Sequence, residues 1–403
     1  MSGPGSGVLP YGRQSIDEDD IEAVVRVLRS DWLTTGPAVR SFEEAFAAAV
    51  GARYAVSCSS GTAGLHLAAL ALGLGPETSV AVPTNTFVAT ANAARYVGAQ
   101  VRFTDIDPQA GLMRPGDLER ALDRPGLPAT AVSPVHFAGQ TVDMEAVAEI
   151  AERRGLAVIE DACHALGSVY HTQAGEAVPV GSCRHSVMTV FSMHPVKTIT
   201  MGEGGVVTTN DPALHRKLLQ FRSHGIVRQD EGFIAADLAL DDAGNANPWY
   251  YELSQLGFNY RASDINCALG ESQLRKLDRF VARRLALAER YDGLLAPLGP
   301  VVRPLRKAAG CRPGLHLYVV LIDFAAIGMS RAELMGRLRE QGIGTQVHYI
   351  PVHRQPLYRD CGLHLPGSER YYRQCLTLPL HVGMSDEEVD AVVAALRVAA
   401  GGS

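Results

Sequence analysis

From Tyr54 to Asp161 the chain repeats one unit: a short apolar run, a few small or polar residues, then an Ala-rich helical pattern. Tyr54 to Cys58 leads into a helix from Gly61 to Leu72, and Ser79 to Pro83 into one near Ala89 to Tyr96. Gln100 to Phe103 follows, Ala131 to His136 precedes a helix from Asp143 to Arg153, and Ala157 to Ile159 runs into Glu160-Asp161. Strands separated by helices of this length pair in parallel and are covered on both faces. The predicted fold class is therefore α/β, with a mostly parallel sheet at its centre. Two further apolar runs, Ser186 to Phe191 and Gly205 to Thr209, flank a loop and are expected as edge or antiparallel strands.

The flanks read differently. A capping box at Ser15-Ile16-Asp17-Glu18 opens a helix whose apolar stripe is Ile21, Val24, Val25 and Leu28, and Phe42 to Val50 forms a second. Between them Trp32-Leu33-Thr34-Thr35-Gly36-Pro37 is rich in turn residues. Asp230 to Pro248 is acidic and weakly periodic, a surface excursion. A long helical stretch from Asp264 to Leu294, bent along its length, bridges to a C-terminal unit. That unit has strands at Leu315 to Leu321 and Thr345 to Tyr349, and helices at Arg331 to Gln341 and Asp386 to Val398. The last helix starts with a capping box, Ser385 to Glu388. With 403 residues, 47% of them hydrophobic, the chain can bury two cores. The expected division is a large domain over residues 1–269 and a smaller α+β domain over 270–403.

Several function classes are disfavoured. A net charge of −6 with interspersed signs provides no basic face for nucleic acid. Apolar stretches such as Leu65 to Leu74 fall well below the roughly 20 residues that span a bilayer. The opening MSGPGSG lacks the basic and apolar regions of a secretory signal and reads as a loose tail. Seven cysteines without a CxxC pair read as reduced thiols, hence a cytoplasmic protein without a disulfide frame. His348 and His353 in HYIPVH have no third ligand at suitable spacing, so no metal is expected. No strand is followed by the G-x-G-x-x-G of a dinucleotide fold.

Three places carry chemistry. Ser59-Ser60-Gly61-Thr62 lies between a strand and a helix, where unpaired amides and hydroxyls suit either ordinary capping or a phosphate. Asp161 and Glu160 end the strand Ala157 to Ile159, at the edge of an open α/β sheet where ligands bind. Adjacent strand residues face opposite ways, so one of the two enters a site, and spacing does not say which. Lys197 follows an apolar strand and Pro195 and precedes the turn Gly202-Glu203-Gly204-Gly205. A lone lysine is ordinarily a solvated surface residue, but one desolvated on such a loop has a lowered pKa and forms an imine with an aldehyde. Ser192, on the same loop, can donate to a phosphate.

The blocks SSGTAG, PTNTFVATANA, VIEDACHALGS, FSMHPVKTITMGEGGVVTTND and LGFNYRASDINCALG, in that order, resemble the DegT/DnrJ/EryC1/StrS family of sugar aminotransferases. The resemblance runs from Tyr11 to about Ala400 and implies the aspartate aminotransferase fold (fold type I) and pyridoxal 5′-phosphate as cofactor, with pyridoxamine 5′-phosphate as its aminated form. It implies that Lys197 carries the cofactor and that Asp161 pairs with its ring nitrogen. It further implies that His164 lies beside the ring oxygen, Phe87 stacks on the ring, and Ser60, Gly61, Thr62 and Ser192 hold the phosphate. Asn259 would reach the phosphate of the other subunit, so an active homodimer is implied. The implied partners are L-glutamate as donor and a nucleotide-linked keto sugar as acceptor, with Thr35, His316, His348 and Tyr349 as candidates for its mouth. The opening PYGRQSIDEDDI, with HPVKTIT and HYIPVH, looks most like the branch serving pseudaminic acid biosynthesis, which implies UDP-4-amino-4,6-dideoxy-N-acetyl-β-L-altrosamine as product. A dehydratase of the same scaffold would carry His in place of Lys197, and a non-catalytic relative would be expected to lose Lys197, Asp161 or the phosphate turn.

Overall fold

Seven strands form one sheet, in the order Tyr54–Cys58, Gly205–Thr209, Met188–Ser192, Ala157–Asp161, Ala129–Val132, Ser79–Pro83 and Gln100–Thr104. This computed structural model describes residues 7–228 and 233–399. Apart from Gly7, the expected N-terminal tail lies outside those residues, as does the start of the expected excursion at Asp230. Gly205–Thr209 runs antiparallel to both its neighbours, Tyr54–Cys58 and Met188–Ser192, and the other pairs described are parallel. Alternate residues feed two cores: Ile159, Val190 and Val207 face the helices Gly61–Ala71 and Pro212–Arg222, while Val158, Phe191 and Val206 face Pro37–Val50 and Met144–Arg154. Burial on both faces explains why the strands read as unbroken apolar runs.

Several expectations need correction. The two late runs do pair antiparallel with each other, as one of the two expected arrangements had it, but neither is an edge. Met188–Ser192 pairs in parallel with Ala157–Asp161, and Gly205–Thr209 folds back beside it, so the edges are Tyr54–Cys58 and Gln100–Thr104. The first helix spans Glu18–Leu28, with Asp17 rather than Ser15 as N-cap and a capping box closed by Asp20. Its expected stripe is not its buried face: Ile21 is 47% and Leu28 55% exposed. The buried side centres on Asp20, which accepts from the Ser272 hydroxyl (2.7 Å) and the Gln273 amide (2.7 Å) and pairs with Lys276 (2.8 Å). A buried carboxylate satisfied in this way can outweigh a few apolar contacts in fixing how a helix sits.

The long helical stretch is two helices, Asp264–Leu274 and Leu277–Leu295. The second joins the cores: Leu277, Phe280 and Val281 pack in the large domain, and Leu287, Ala288, Tyr291 and Leu295 in the small one. The smaller α+β domain is an antiparallel sheet of Val302–Pro304, Tyr318–Ile322 and Cys375–Leu378, covered by Arg331–Glu340 and Asp386–Ala399. Thr345 to Tyr349 is not a strand. Gln346 makes a single bridge to Thr377, because His348 and Tyr349 are held by side-chain partners, Thr377 and His164. Among the described residues no helix is long and apolar enough to cross a membrane.

Candidate active site

The parallel strands deliver their following residues to one rim of the sheet, where open α/β folds bind ligands. Asp161 ends its strand 5% exposed, accepting from the Thr90 hydroxyl (2.6 Å) and the Cys163 amide (3.1 Å). It therefore caps a turn and faces the rim. Glu160 points the other way, bonded to His136 Nε2 (2.7 Å), the Ser186 hydroxyl (2.5 Å) and the Thr189 hydroxyl (2.9 Å). Burial works to raise the Glu160 pKa, but these bonds outweigh it and hold the carboxyl below its ordinary range. The ambiguity between the two carboxylates is resolved by which face has partners.

Ser60 is the N-cap of the helix Gly61–Ala71; its hydroxyl accepts from the Ala63 amide (3.1 Å) and its carbonyl from Gly64 (3.0 Å). The capping reading is thus realised, and the Gly61 and Thr62 amides still stand at the head of the helix, where an anion is favoured. Small residues shape this corner. A Cβ on Gly61 would come 2.9 Å from Ser192 Cβ, and one on Gly205 would come 2.4 Å from the Ser60 carbonyl oxygen. Three chain segments meet only because two positions are glycine.

Lys197 Nζ stands 3.4 Å from Nε2 of His316. Burial lowers its pKa, partly offset by Cys163 and Asp161. His316 and His164 are depressed well below the ordinary histidine value by burial first, then by Lys197 and neighbouring bases. His348 is pushed down to about 3 for the same reasons. The site therefore presents neutral imidazoles near neutral pH. The Ala138 amide donates to Nδ1 of His164 (3.3 Å), so the ring proton resides on Nε2 and points at the Tyr349 oxygen, 3.1 Å away. Burial raises the Tyr349 pKa, keeping a neutral phenol whose own proton is free for another partner.

Lys197, Asp161, His164, His316 and Tyr349 thus form one cluster, and Gly61 and Ser192 form a second corner against Cys163. Phe87 caps the helix Val88–Tyr96 and is 54% exposed, its ring 6.0 Å from that of Tyr349. His348 is buried against Thr377 (2.8 Å) and Tyr11, with its ring edge-on to Tyr349 at 4.8 Å. His353 bonds Thr84 (2.7 Å), and His194 is exposed. Thr35 and Asn259 are exposed and share no hydrogen bond with the cluster among the described residues; each lies beside a backbone bridge, Thr34 with Ser263 and Asn259 with Ser223.

An amine, a facing carboxylate and a helix N-terminus walled by glycines fit a cofactor with an aldehyde, a ring nitrogen and a phosphate. Sequence reasoning missed two supports. Thr90 lies three residues after Phe87, and it was detectable only once Asp161 was known to need a donor. Arg284 interrupts the buried stripe of Leu277–Leu295, a break visible in the spacing of Phe280, Val281, Leu287 and Ala288.

Residues 14–397 match the DegT/DnrJ/EryC1/StrS aminotransferase family. The chain is 37% identical over 395 residues to the spore coat polysaccharide biosynthesis protein SpsC of Bacillus subtilis (strain 168), covering 96% of each. Among solved structures it resembles Helicobacter pylori PseC, an aminotransferase involved in the biosynthesis of pseudoaminic acid, at TM-score 0.85 and 29% identity over 97% of this chain and 99% of that one. It resembles the putative sugar aminotransferase Spr1654 of Streptococcus pneumoniae equally well, at TM-score 0.85 and 27% identity over 98% of this chain; that protein is known in PLP and PMP forms, covered to 99% and 98%.

Proposed function

Because the chain belongs to the DegT/DnrJ/EryC1/StrS aminotransferase family, we propose that it moves the amino group of L-glutamate to a nucleotide-linked keto sugar through Lys197 and Asp161. It is a pyridoxal-phosphate-dependent aminotransferase, with the pyridoxamine form as the other state of its cofactor. The single observation carrying the residue roles is the convergence of a desolvated Lys197, an inward Asp161 and the Gly61–Ser192 corner on one rim.

The bound cofactor supplies an electron sink and a carbon that accepts and returns the amino group. Ser60, Gly61, Thr62 and Ser192 hold its phosphate, and Asp161, oriented by Thr90 and Cys163, sets a negative charge against its ring nitrogen. His164, its one ring N–H directed at the Tyr349 oxygen, would orient the phenol, whose proton would face the ring edge, and Phe87 would lie over one face. Lys197 takes a proton at Nζ and gives it back, and the burial that lowers its pKa makes the return easier than from a solvated amine. Neutral His316 accepts from Nζ without adding a competing charge.

The acceptor is drawn from nucleotide-linked keto sugars as a class. Likeness to PseC supports the UDP-linked 4-keto-6-deoxy-N-acetylhexosamine of pseudaminic acid synthesis, but the pneumococcal protein matches equally well in fold and SpsC is the more identical relative. The broader reading carries more of these observations. A homodimer is supported by apolar side chains left outside the cores, Trp32 at 55%, Trp249 at 74% and Leu256, three residues before Asn259, at 83% exposure.

The test is spectroscopic. L-glutamate added to the PLP-loaded protein should convert it to the pyridoxamine form with stoichiometric release of 2-oxoglutarate. A panel of UDP- and dTDP-linked 3-keto and 4-keto sugars should then reverse the change. A PLP-loaded protein inert to L-glutamate would exclude the donor, and one reversed by no nucleotide sugar would exclude the acceptor class.

A further inference from the structure

Arg284 is 1% exposed, on the stripe by which Leu277–Leu295 packs into both cores. Burying a guanidinium is costly unless it is paired, and among the described residues no carboxylate pairs with it. Its partners are four carbonyls. Nη1 donates to Leu380 (3.1 Å), Leu315 (3.4 Å) and His316 (3.4 Å), Nη2 donates to Lys197 (3.4 Å), and Nε has no partner among the described residues. Burial draws its pKa down to about 10, so it remains a cation at neutral pH.

The acceptors belong to three segments. Lys197 lies on the large-domain loop, Leu315 and His316 precede the strand Tyr318–Ile322, and Leu380 follows Cys375–Leu378. Two of the four are the residues whose side chains meet across 3.4 Å in the site. A strut serving stability alone could take any carbonyls at the junction, and an apolar side chain of similar volume would serve as well. A planar fork that grips both members of the Lys197–His316 pair fixes their separation, which a single-point donor cannot do.

We propose that Arg284 is a positioning residue for amino transfer, holding Lys197 on the large domain and His316 on the small domain in register across the junction. The inference rests on the reading of Lys197 as the cofactor-bearing residue. The titratable and charged groups around the guanidinium are Lys197, His316, His381 and Arg13, all basic, so its charge also favours the neutral form of both histidines.

Arg284→Lys keeps the charge and loses the fork; Arg284→Gln keeps a smaller fork and loses the charge. Both would be loaded with PLP, and whichever folds by near-ultraviolet circular dichroism carries the test. The readouts are PLP affinity, the pH titration of the Lys197-linked cofactor band, and the single-turnover rate with L-glutamate. The phosphate corner makes no contact with Arg284, so affinity should hold. The band's titration should shift, and the rate should fall about 100-fold, the scale of a misplacement near 1 Å. A wild-type rate and titration in a folded variant would overturn the proposal, as would a rate and a PLP affinity that fall in proportion. If the wild-type protein ignores L-glutamate, the donor assignment fails separately, and the band's titration still decides whether Arg284 positions Lys197.

Discussion

The inner and outer halves of this site are built on opposite principles. The inner half, from Ser60 and Gly61 through Asp161 to Ser192, is packed so tightly that a methyl group on Gly205 would collide with the Ser60 carbonyl. Several oriented groups there have partners from their own chain: Thr90 for Asp161, Ala63 for Ser60, and Tyr349 for His164. The outer half exposes Phe87, and the candidate residues Thr35 and Asn259 share no hydrogen bond with the cluster among the described residues. Chemistry that must hold atoms in place is thus built from strand ends and turns. The exposed surface around it is not fixed in that way.

The largest effects should come from the inner half. On the proposed reading Lys197→Ala removes the group that carries the proton between donor and cofactor, and the L-glutamate half-reaction should slow about a thousandfold or more. Because the phosphate corner is separate from Nζ, equilibrium dialysis should still find PLP bound. Rapid turnover by this variant would break the division between halves at its centre. Asp161→Ala should cost about 100-fold, the scale of one preorganised electrostatic partner. It also frees the Thr90 hydroxyl, so the loss in rate, measured by stopped-flow absorbance, should exceed the loss in thermal stability.

The same division governs what could be read before the structure. Lys197, Asp161 and Ser60-Gly61-Thr62 stand out because their setting is local: a strand end, a turn, a helix cap. Spacing alone did not decide between Glu160 and Asp161, and only the family resemblance named Asp161, since the choice depends on His136 and Ser186 lying on one face and Thr90 on the other, all distant in sequence. The position of Met188–Ser192 inside the sheet was hidden for a related reason. Apolar runs report burial, and two strands buried on both faces look alike whatever their order. The helix Glu18–Leu28 misled, because Ile21 and Leu28 of the stripe that reads as its core face are exposed and Val24 and Val25 only half-buried, while Asp20, a residue that pattern would place outside, is buried in a hydrogen-bonded cluster.

The outer half sharpens the comparison through assembly. If the exposed apolar residues are covered by a second copy, Trp249→Ala should weaken self-association about tenfold, the usual cost of truncating a buried aromatic anchor. Sedimentation equilibrium would measure this. The fold of the single chain, read by circular dichroism, should not change, since Trp249 is 74% exposed and lies outside the described cores. A monomeric wild-type protein, or a variant that loses secondary structure along with association, would count against a mouth shared between subunits.

The smallest effect tests whether the inner half is as dry as its packing implies. His348 has a pKa of about 3 in the folded protein against an ordinary 6.5, chiefly through burial and secondarily through Lys197. Its folded value is depressed, so the unfolded chain binds the extra proton first. The stability that neutral His348 contributes is complete above pH 6.5 and is lost as pH falls toward about 3. Over the first pH unit below that point the loss should stay under about 1.4 kcal/mol, the limit for a single proton. Urea unfolding across this interval should give a shallower pH slope for His348→Asn than for wild type, because an amide can still meet Thr377 but does not titrate. Equal slopes would mean that water reaches His348, and with it the neutral character argued for the imidazoles around Lys197 would be lost.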